Sequence, residues 1–216
     1  MIELVILLLA SYMTGSFPTS IIITRVKKNI DIREHGSGNA GATNVFRVLG
    51  WKYALFVLLF DIFKGWLPTA VYATIIFQQL PVPDQGLVRI LCGFAAVIGH
   101  IFPIFSGFKG GKGAGSLIGV LLALYPLVFP LCLLIGVAVI TTTGYVSLGS
   151  ISAAISLPII ILFLPRLGLI NPDLSLVVFS LLVPWLIIFT HRTNINRIRN
   201  GTENRFEKAI IFKKKN

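Results

Sequence analysis

Long apolar runs with few charges constrain this chain more than any other feature. Such runs lie at 2–24 (interrupted by Gly15 and Pro18), 53–77, 87–106, 115–142, 145–164 and 174–190. A helix crosses a hydrocarbon core of about 30 Å with about 20 residues, so runs of this length are typical of membrane-spanning helices. Charged residues make up 12% of the chain, against roughly 25% in soluble domains. The sequence therefore predicts an all-α polytopic membrane protein with a single domain over residues 1–216.

The positions of the basic residues predict how the chain is oriented. The formal net charge is +11, but the cations lie mostly in short connections and in the tail. Binding of nucleic acid needs a soluble basic face, so we do not expect it. The connection 25–52 is rich in Lys and Arg, whereas 78–86 has neither. The first connection is therefore expected in the cytoplasm and the N-terminus outside.

The basic tail from His191 onward is expected to be cytoplasmic as well. Three single helices after residue 115 would leave that tail outside. The conflict disappears if 115–142 is a bent hairpin that turns near Pro126 and Pro130, because proline breaks helices. We therefore predict seven transmembrane helices, with a cytoplasmic C-terminus. Four polar segments then share one side of the membrane: 31–50, 106–116, 141–148 and 191–205.

The segment from Phe108 to Ser116 carries four glycines and two lysines between apolar runs. A flexible cytoplasmic turn would account for it. Glycine also lets main-chain N–H groups approach an anion closely, and we favour this reading because three other polar segments share its side. The Walker A spacing is absent. Lys112 lies between glycines and is better placed than Lys109 to bind a phosphate as a point charge.

The segment 36–47 is richer in polar groups than a helix entry requires. It contains Ser37, Asn39, Thr43, Asn44 and Arg47 among several glycines. We expect Thr43 or Asn44 to cap a helix that begins here, with N–H groups facing an anion. A purely structural cap would need one such residue, so a ligand-binding role is favoured.

Inside the apolar runs, Asp61 and Lys64 are spaced to share a helical face. We interpret them as a structural ion pair, and His100 as a hydrogen-bonded structural histidine. His191 and Asn194 also share a helical face, and the hairpin model places Ser147 beside the other polar segments. Arg197, Arg199 and the terminal lysines are expected to contact anionic lipid headgroups. No metal site is expected, because paired carboxylates and His/Cys clusters are missing.

Six motifs, taken together, resemble one family over nearly the whole chain. They are Gly36-Ser37-Gly38-Asn39 followed by Gly41-Ala42-Thr43-Asn44 and Arg47; Asp61 with Lys64-Gly65; Gly99-His100 with Pro103; Phe108-Lys109-Gly110-Gly111-Lys112-Gly113; Tyr145-Val146-Ser147-Leu148; and His191-Arg192 with Asn194-Ile195. The family is the bacterial inner-membrane glycerol 3-phosphate acyltransferase that uses acyl phosphate as donor.

The resemblance implies acyl transfer to the sn-1 hydroxyl of glycerol 3-phosphate, giving lysophosphatidate and phosphate for phospholipid synthesis. It implies a multi-pass protein of the inner membrane, a cytoplasmic active site, no cofactor, and a functional link to an enzyme that forms acyl phosphate. By motif position, catalysis is expected of Ser37, Asn39, Arg47, Lys112 and His191. Substrate binding is expected of Gly38, Thr43, Asn44, Gly110, Gly111, Gly113, Ser147 and Asn194.

Two departures from the family pattern affect predicted contacts. Ala114-Gly115-Ser116 replaces the usual Val-Ala-Thr, although Ser116 keeps a hydroxyl. Gly144 stands where an arginine often precedes the Tyr-x-Ser motif. A transporter for an anionic solute is the main alternative, but no repeat is visible. Transfer of a phosphoalcohol to lipid would need a metal-binding aspartate cluster, which Asp31 and Asp61 do not provide. The general base stays open between His191 and a phosphate oxygen of the substrate.

Overall fold

The computed structural model describes residues 2–77, 84–207 and 210, with the backbone only at Ile76 and Phe77. Over these residues the regular structure is helical. The contacts group the chain into two compact units, Met1–Tyr125 and Pro126–Asn216. Each unit is described by itself below, and a single domain over 1–216 stays a prediction.

The first unit contains seven of the α-helices in the described residues. They are α1 (Ile2–Gly15), α2 (Thr19–Lys28), α3 (Ala42–Leu49), α4 (Trp51–Leu67), α5 (Ala73–Phe77), α6 (Gln85–Ile101) and α7 (Ala114–Leu124). Short 3₁₀ turns at Ile32–Glu34 and Ile104–Ser106 lie in the polar connections. A π-helical turn at Pro68–Tyr72 joins α4 to α5. Helix α1 packs against α6, and α4 packs against α3 and α7.

Close approach of α4 and α7 fixes the start of α7, where the glycine-rich segment ends. A Cβ added to Gly65 of α4 would overlap the backbone at Ser116, and one added to Gly119 of α7 would overlap the backbone at Ile62. Only glycine permits the two helices to lie this close. A Cβ on Gly115 would lie 2.9 Å from the Cβ of Asp61, so a larger residue here would require one of the two helices to shift.

The second unit consists of α8 (Phe129–Thr143), α9 (Val146–Phe163), α10 (Leu174–Thr190) and α11 (Arg192–Arg199) in its described part. Helix α9 packs against α8, α10 and α11. Gly144 ends α8 at φ 78, a left-handed conformation that glycine adopts without steric cost. The chain then enters α9 at the Tyr145–Leu148 motif.

The predicted helix breaks are confirmed, and the boundaries differ by a few residues. The first run divides after Gly15, where Pro18 precedes α2, and the run 115–142 divides between Leu124 and Phe129. When helical segments that follow one another closely are counted together, four stretches of the described chain are long and apolar enough to span a membrane: Ile2–Lys28, Trp51–Ile75, Gln85–Ser106 and Val146–Leu167. A fifth arises if the bent pair Leu174–Thr190 and Arg192–Arg199 is one span. Ala114–Leu124 and Phe129–Thr143 are shorter apolar helices. Seven spans and the side of each terminus stay predictions.

Two sequence predictions fall wholly or largely outside the described residues. One is the outer connection 78–86, of which only residues 84–86 are described. Within that part, the Asp84 carboxylate accepts a hydrogen bond from the Leu87 N–H at 3.1 Å and caps α6. The other is the contact of the terminal lysines with lipid.

Candidate functional site

Asn44 organises the first polar segment through its buried side chain. Its Oδ1 accepts a hydrogen bond from the Ser37 N–H at 2.9 Å. Its Nδ2 donates to the carbonyls of Ile32, His35 and Asn39 at 3.1, 2.9 and 3.0 Å. These bonds curl the segment 32–39 around one amide and bring the predicted residues Ser37 and Asn39 together. Asn44 therefore positions the loop.

Helix α3 begins earlier than the sequence suggested. Gly41 is its N-cap, and no side chain caps it. Thr43 and Asn44 lie inside the first turn, so the prediction that one of them caps the helix is wrong. Asn44 cannot serve as a cap because its amide is bonded to the preceding loop. Thr43 and Arg47, on the first and last turns of α3, are half-buried.

Arg33 joins the two polar segments of the first unit, a role that its place among several cations of one connection did not indicate. Its Nη1 donates to the Ser106 carbonyl at 2.8 Å. Its Nη2 and Nε donate to the Asp31 carboxylate at 2.6 and 3.0 Å. These hydrogen bonds lower the pKa of Asp31 to about 2 and raise the pKa of Arg33. Arg33, oriented by this ion pair, thus ties the loop after α2 to Ser106, just before the glycine-rich segment.

Replacing Asp31 by asparagine is expected to remove an acid-sensitive part of the stability. A carboxyl group whose pKa is lowered on folding stabilises the fold above its unfolded pKa, and this contribution is lost as the pH falls through the folded pKa. For Asp31, that window runs from the ordinary carboxyl range down to about 2. Thermal melting in detergent at several acidic pH values tests this. The wild type should lose more stability across the window than Asp31→Asn, and parallel curves would contradict the assignment.

Two N–H groups of the glycine-rich segment are already bonded within the protein. The Gly110 N–H donates to the Ile101 carbonyl and the Gly111 N–H to the His100 carbonyl, both at 3.1 Å. These two hydrogen bonds hold the loop against the C-terminal end of α6. The hypothesis that these two N–H groups hold a phosphate is therefore not consistent with this structure. Gly113, at φ 80, is the N-cap of α7, and Lys112 before it is half-buried.

A buried ion pair lies directly beside this loop, as the sequence predicted. Lys64 Nζ is 2.8 Å from Asp61 Oδ1, and both side chains are 4% exposed. Lys64 also donates to the Phe17 carbonyl at 3.1 Å, where the chain breaks between α1 and α2. His100 Nδ1 lies 3.5 Å from Asp61 Oδ1. The two charges compensate each other in an apolar setting, which is the usual condition for burying them.

Two cavities of the first unit meet at Arg33 and Ser106. The apolar cavity has a volume of ≈ 330 Å³ and is lined by Phe17, Pro18, Ile21, Ile22 and Phe105, with Arg25, Arg33 and Ser106. The polar cavity, of ≈ 600 Å³, is lined by Asp31, Arg33, Glu34, Gly38, Ser106, Gly107, Lys109 and Gly110. Lys109 lines the polar cavity, and the favoured Lys112 is not among its lining residues.

His191 lies at the junction of α10 and α11 and is buried. Its Nδ1 is 2.9 Å from the Ile187 carbonyl oxygen. Because a carbonyl only accepts, this hydrogen bond requires the proton on Nδ1, and Nε2 of the neutral ring then carries the lone pair. This hydrogen bond fixes the orientation of the ring, and a neutral ring in this orientation has the tautomer that a general base at Nε2 requires.

Glu203 connects the other two predicted residues of the second unit. Its Oε1 accepts hydrogen bonds from Ser147 Oγ at 3.0 Å and from Asn194 Nδ2 at 2.6 Å. Its Oε2 lies 3.2 Å from Arg197 Nε. Sequence reasoning missed this carboxylate because it follows α11 in a basic tail. A Schellman turn brings it back, with Gly201 at φ 69 and the Thr202 N–H donating to the Arg197 carbonyl at 2.8 Å.

A cation lies beside the Tyr145–Leu148 motif even though Gly144 replaces the arginine that often precedes it. The Arg205 guanidinium lies 5.0 Å from the centre of the Tyr145 ring, and its Nε donates to the Thr143 carbonyl at 3.3 Å. The cation thus comes from the segment after α11. Among the described residues, no group of three or more His, Cys, Asp or Glu side chains is arranged to hold a metal ion.

The chain matches one protein family over most of its length. A family model described as glycerol-3-phosphate acyltransferase matches residues 5–201. A curated glycerol-3-phosphate acyltransferase of Chlorobaculum parvum is 43% identical, over 95% of this chain and 97% of the relative. One of Chlorobaculum tepidum is 42% identical over the full length of both chains.

Two solved structures share the fold. Both are of PlsY, an integral membrane glycerol 3-phosphate acyltransferase. The glycerol 3-phosphate form has a TM-score of 0.79 and 37% identity, and covers 94% of this chain and 95% of that one. The lysophosphatidic acid form has a TM-score of 0.78 and 36% identity, over 95% of this chain and 97% of that one.

Proposed function

The chain belongs to the glycerol-3-phosphate acyltransferase family, and we propose that it transfers a fatty acyl group from acyl phosphate to the sn-1 hydroxyl of glycerol 3-phosphate. The products are lysophosphatidate and inorganic phosphate. The observation that carries the proposal is the likeness to PlsY in its glycerol 3-phosphate and lysophosphatidic acid forms, over nearly the full chain. The acceptor and the product of that relative correspond to those of this reaction.

The main requirement of this reaction is that the protein stabilise the negative charges of the substrates and of the transition state. Acyl phosphate is a mixed anhydride with a good leaving group, so strong acid catalysis is not needed. The site must neutralise phosphate, orient two anionic substrates and stabilise a tetrahedral oxyanion. We assign the phosphate contacts to Lys112, Arg47 and the hydroxyl and amide groups of Ser37 and Asn39. The Asn44-centred loop supports this assignment because it fixes Ser37 and Asn39 in one turn.

The reaction consists of one substitution at the acyl carbon. The sn-1 hydroxyl oxygen forms a bond to the carbonyl carbon, and the bond between that carbon and the phosphate oxygen breaks. The hydroxyl proton goes either to Nε2 of His191 or to a phosphate oxygen of the substrate, and inorganic phosphate leaves with the electron pair. The hydrogen bond between Nδ1 and the Ile187 carbonyl supports the first route because it fixes the orientation of the ring.

Replacing His191 by alanine distinguishes the two routes for the proton. General-base catalysis typically contributes 10²–10⁴-fold, so a base at His191 predicts a loss of kcat of at least about 100-fold. The rate should be measured with purified, folded protein at saturating substrates. A variant that keeps more than about a tenth of the rate would assign the proton to the substrate phosphate. His35→Ala is the matched control, because the His35 side chain is exposed.

The acyl chain and the membrane arrangement complete the proposal. The apolar cavity lined by Phe17, Ile21 and Phe105 is suited to an acyl chain. The four long helices, the bent pair and the two shorter apolar helices supply the seven segments of the proposed topology. We place the enzyme in the bacterial inner membrane with its site facing the cytoplasm, where an acyl-phosphate-forming enzyme supplies the donor.

The donor is tested directly with purified protein, glycerol 3-phosphate and either acyl phosphate or acyl-CoA, with a chelator present. We expect lysophosphatidate and phosphate in equal amounts from acyl phosphate. Product from acyl-CoA alone would overturn the donor assignment. Lack of turnover without added metal, restored by a divalent cation, would overturn the proposed metal-independent chemistry.

A further inference from the structure

His100 contacts the glycine-rich loop with both its backbone and its side chain. Its carbonyl accepts the Gly111 N–H at 3.1 Å. A Cβ added to Gly111 would overlap Nε2 of the imidazole and would lie 2.9 Å from the Ala40 carbonyl oxygen. Gly111 is therefore held between the His100 ring and the backbone of the first polar segment. The imidazole lies where the two predicted substrate-binding segments of this unit meet.

The imidazole lies beside the buried ion pair, and its buried Nδ1 has no hydrogen-bond partner among the described residues. Its Nδ1 lies 3.5 Å from Asp61 Oδ1, which Lys64 also contacts at 2.8 Å. A cavity of ≈ 10 Å³ remains between Thr19, Ala40, Asp61, Lys64, His100, Gly110 and Gly111. This is about the smallest space that holds one water molecule. The ring, which is 5% exposed, thus has little room for another orientation.

We propose that His100, packed between the Asp61–Lys64 pair and Gly111, is a positioning residue that sets the place of Gly110–Lys112 relative to the Ser37–Asn44 loop. His100 acts through Gly111 and is assigned no contact with substrate. The inference rests on the proposed function, because the loop matters through the phosphate that Lys112 is proposed to bind. It gives a common role to the histidine and the two buried charges beside this loop.

The test compares His100→Leu, which keeps the bulk without the ring nitrogens, with His100→Gln, whose amide reaches toward Gly111. A displacement of about 1 Å can cost 10²-fold in rate. For His100→Leu we expect kcat/KM for glycerol 3-phosphate to fall by at least about 10-fold, mainly through KM. His100→Gln should recover part of this loss. His35→Leu, which changes an exposed histidine, should stay within about twofold of the wild type.

Hydrogen exchange supplies a readout that needs no substrate. The proposal expects the Gly110 and Gly111 amides of His100→Leu to exchange faster than in the wild type, while amides in the middle of α4 and α6 are unchanged. Uniformly faster exchange with a normal KM would show a general structural role and overturn the proposal. If the wild type lacks acyltransferase activity, the proposed function fails, and the exchange result still decides the positioning role.

A second variant covers the case in which His100→Leu does not fold. Asp61→Leu combined with Lys64→Met removes both charges together, a change that many buried ion pairs tolerate without loss of stability. We expect the same rise in KM and the same faster exchange at Gly110 and Gly111. A normal KM together with unchanged exchange in this double variant would overturn the proposal.

Discussion

Replacing Lys112 by alanine is expected to leave a folded protein that has lost at least about 100-fold in kcat/KM, because removing one preorganised group that stabilises developing charge costs 10²–10³-fold. Lys112 is half-buried and directly precedes Gly113, the N-cap of α7. A compact ammonium at this point would add to the positive end of the helix dipole. The predicted loss follows from the phosphate contact that we assign to this side chain.

Lys109 in the same loop provides the matched control. Its side chain is exposed and lines the open polar cavity. Lys109→Ala should stay within about twofold of the wild type, as exposed substitutions usually do. The comparison is made with purified proteins of equal helical content, by measuring phosphate release. If Lys109→Ala is the inactive variant and Lys112→Ala turns over normally, the assignment of the phosphate contact is wrong.

Replacing Asn44 by aspartate is expected to damage both the stability and the activity. The new carboxylate cannot donate, so the carbonyls of Ile32, His35 and Asn39 lose their hydrogen bonds and face a negative charge. Each buried polar group left unsatisfied costs about 1–3 kcal/mol, so the free energy of unfolding should fall by about 3 kcal/mol or more. The Ser37 loop then loses its fixed shape, and we expect kcat to fall at least about 100-fold.

Thermal melting and initial rates in the same detergent measure these effects. Asn29→Gly is the matched control, because Asn29 is an exposed asparagine at φ 54 that ends α2, a conformation glycine adopts readily. It should melt and turn over like the wild type. An Asn44→Asp protein with unchanged melting would show that the loop does not depend on this amide, and the account of Ser37 and Asn39 would fail with it.

Some of the site could be predicted because its causes are local in the chain. The pairing of Asp61 with Lys64 follows from their spacing on one helical face, and the structure confirms it. The breaks near Pro18 and Pro126 follow from the missing proline N–H and its ring. Burial of both His191 and Asn194 agrees with their shared face. None of these predictions required knowledge of a distant partner.

Other parts of the site depended on partners far away in sequence. The N–H groups of Gly110 and Gly111 looked available for an anion, yet the carbonyls of His100 and Ile101 accept them. In the sequence, Arg33 is one of several cations in a connection. Its contacts with Ser106 and Asp31 exist only in the folded chain. Glu203 follows α11 in a basic tail, and its burial depends on the chain reversal at Gly201.

The sequence by itself determined the class of this protein, its helical segments, its family and most of the residue types at its polar segments. Those properties follow from hydropathy, residue spacing and the order of the motifs, all of which are local properties of the sequence. Only the tertiary structure decided which polar groups are hydrogen-bonded within the protein and to which partners. Asn44 donates to three carbonyls, Ser147 and Asn194 donate to Glu203, and the Gly111 N–H donates to the His100 carbonyl. A hydrogen bond depends on distance and direction between atoms, and packing sets both.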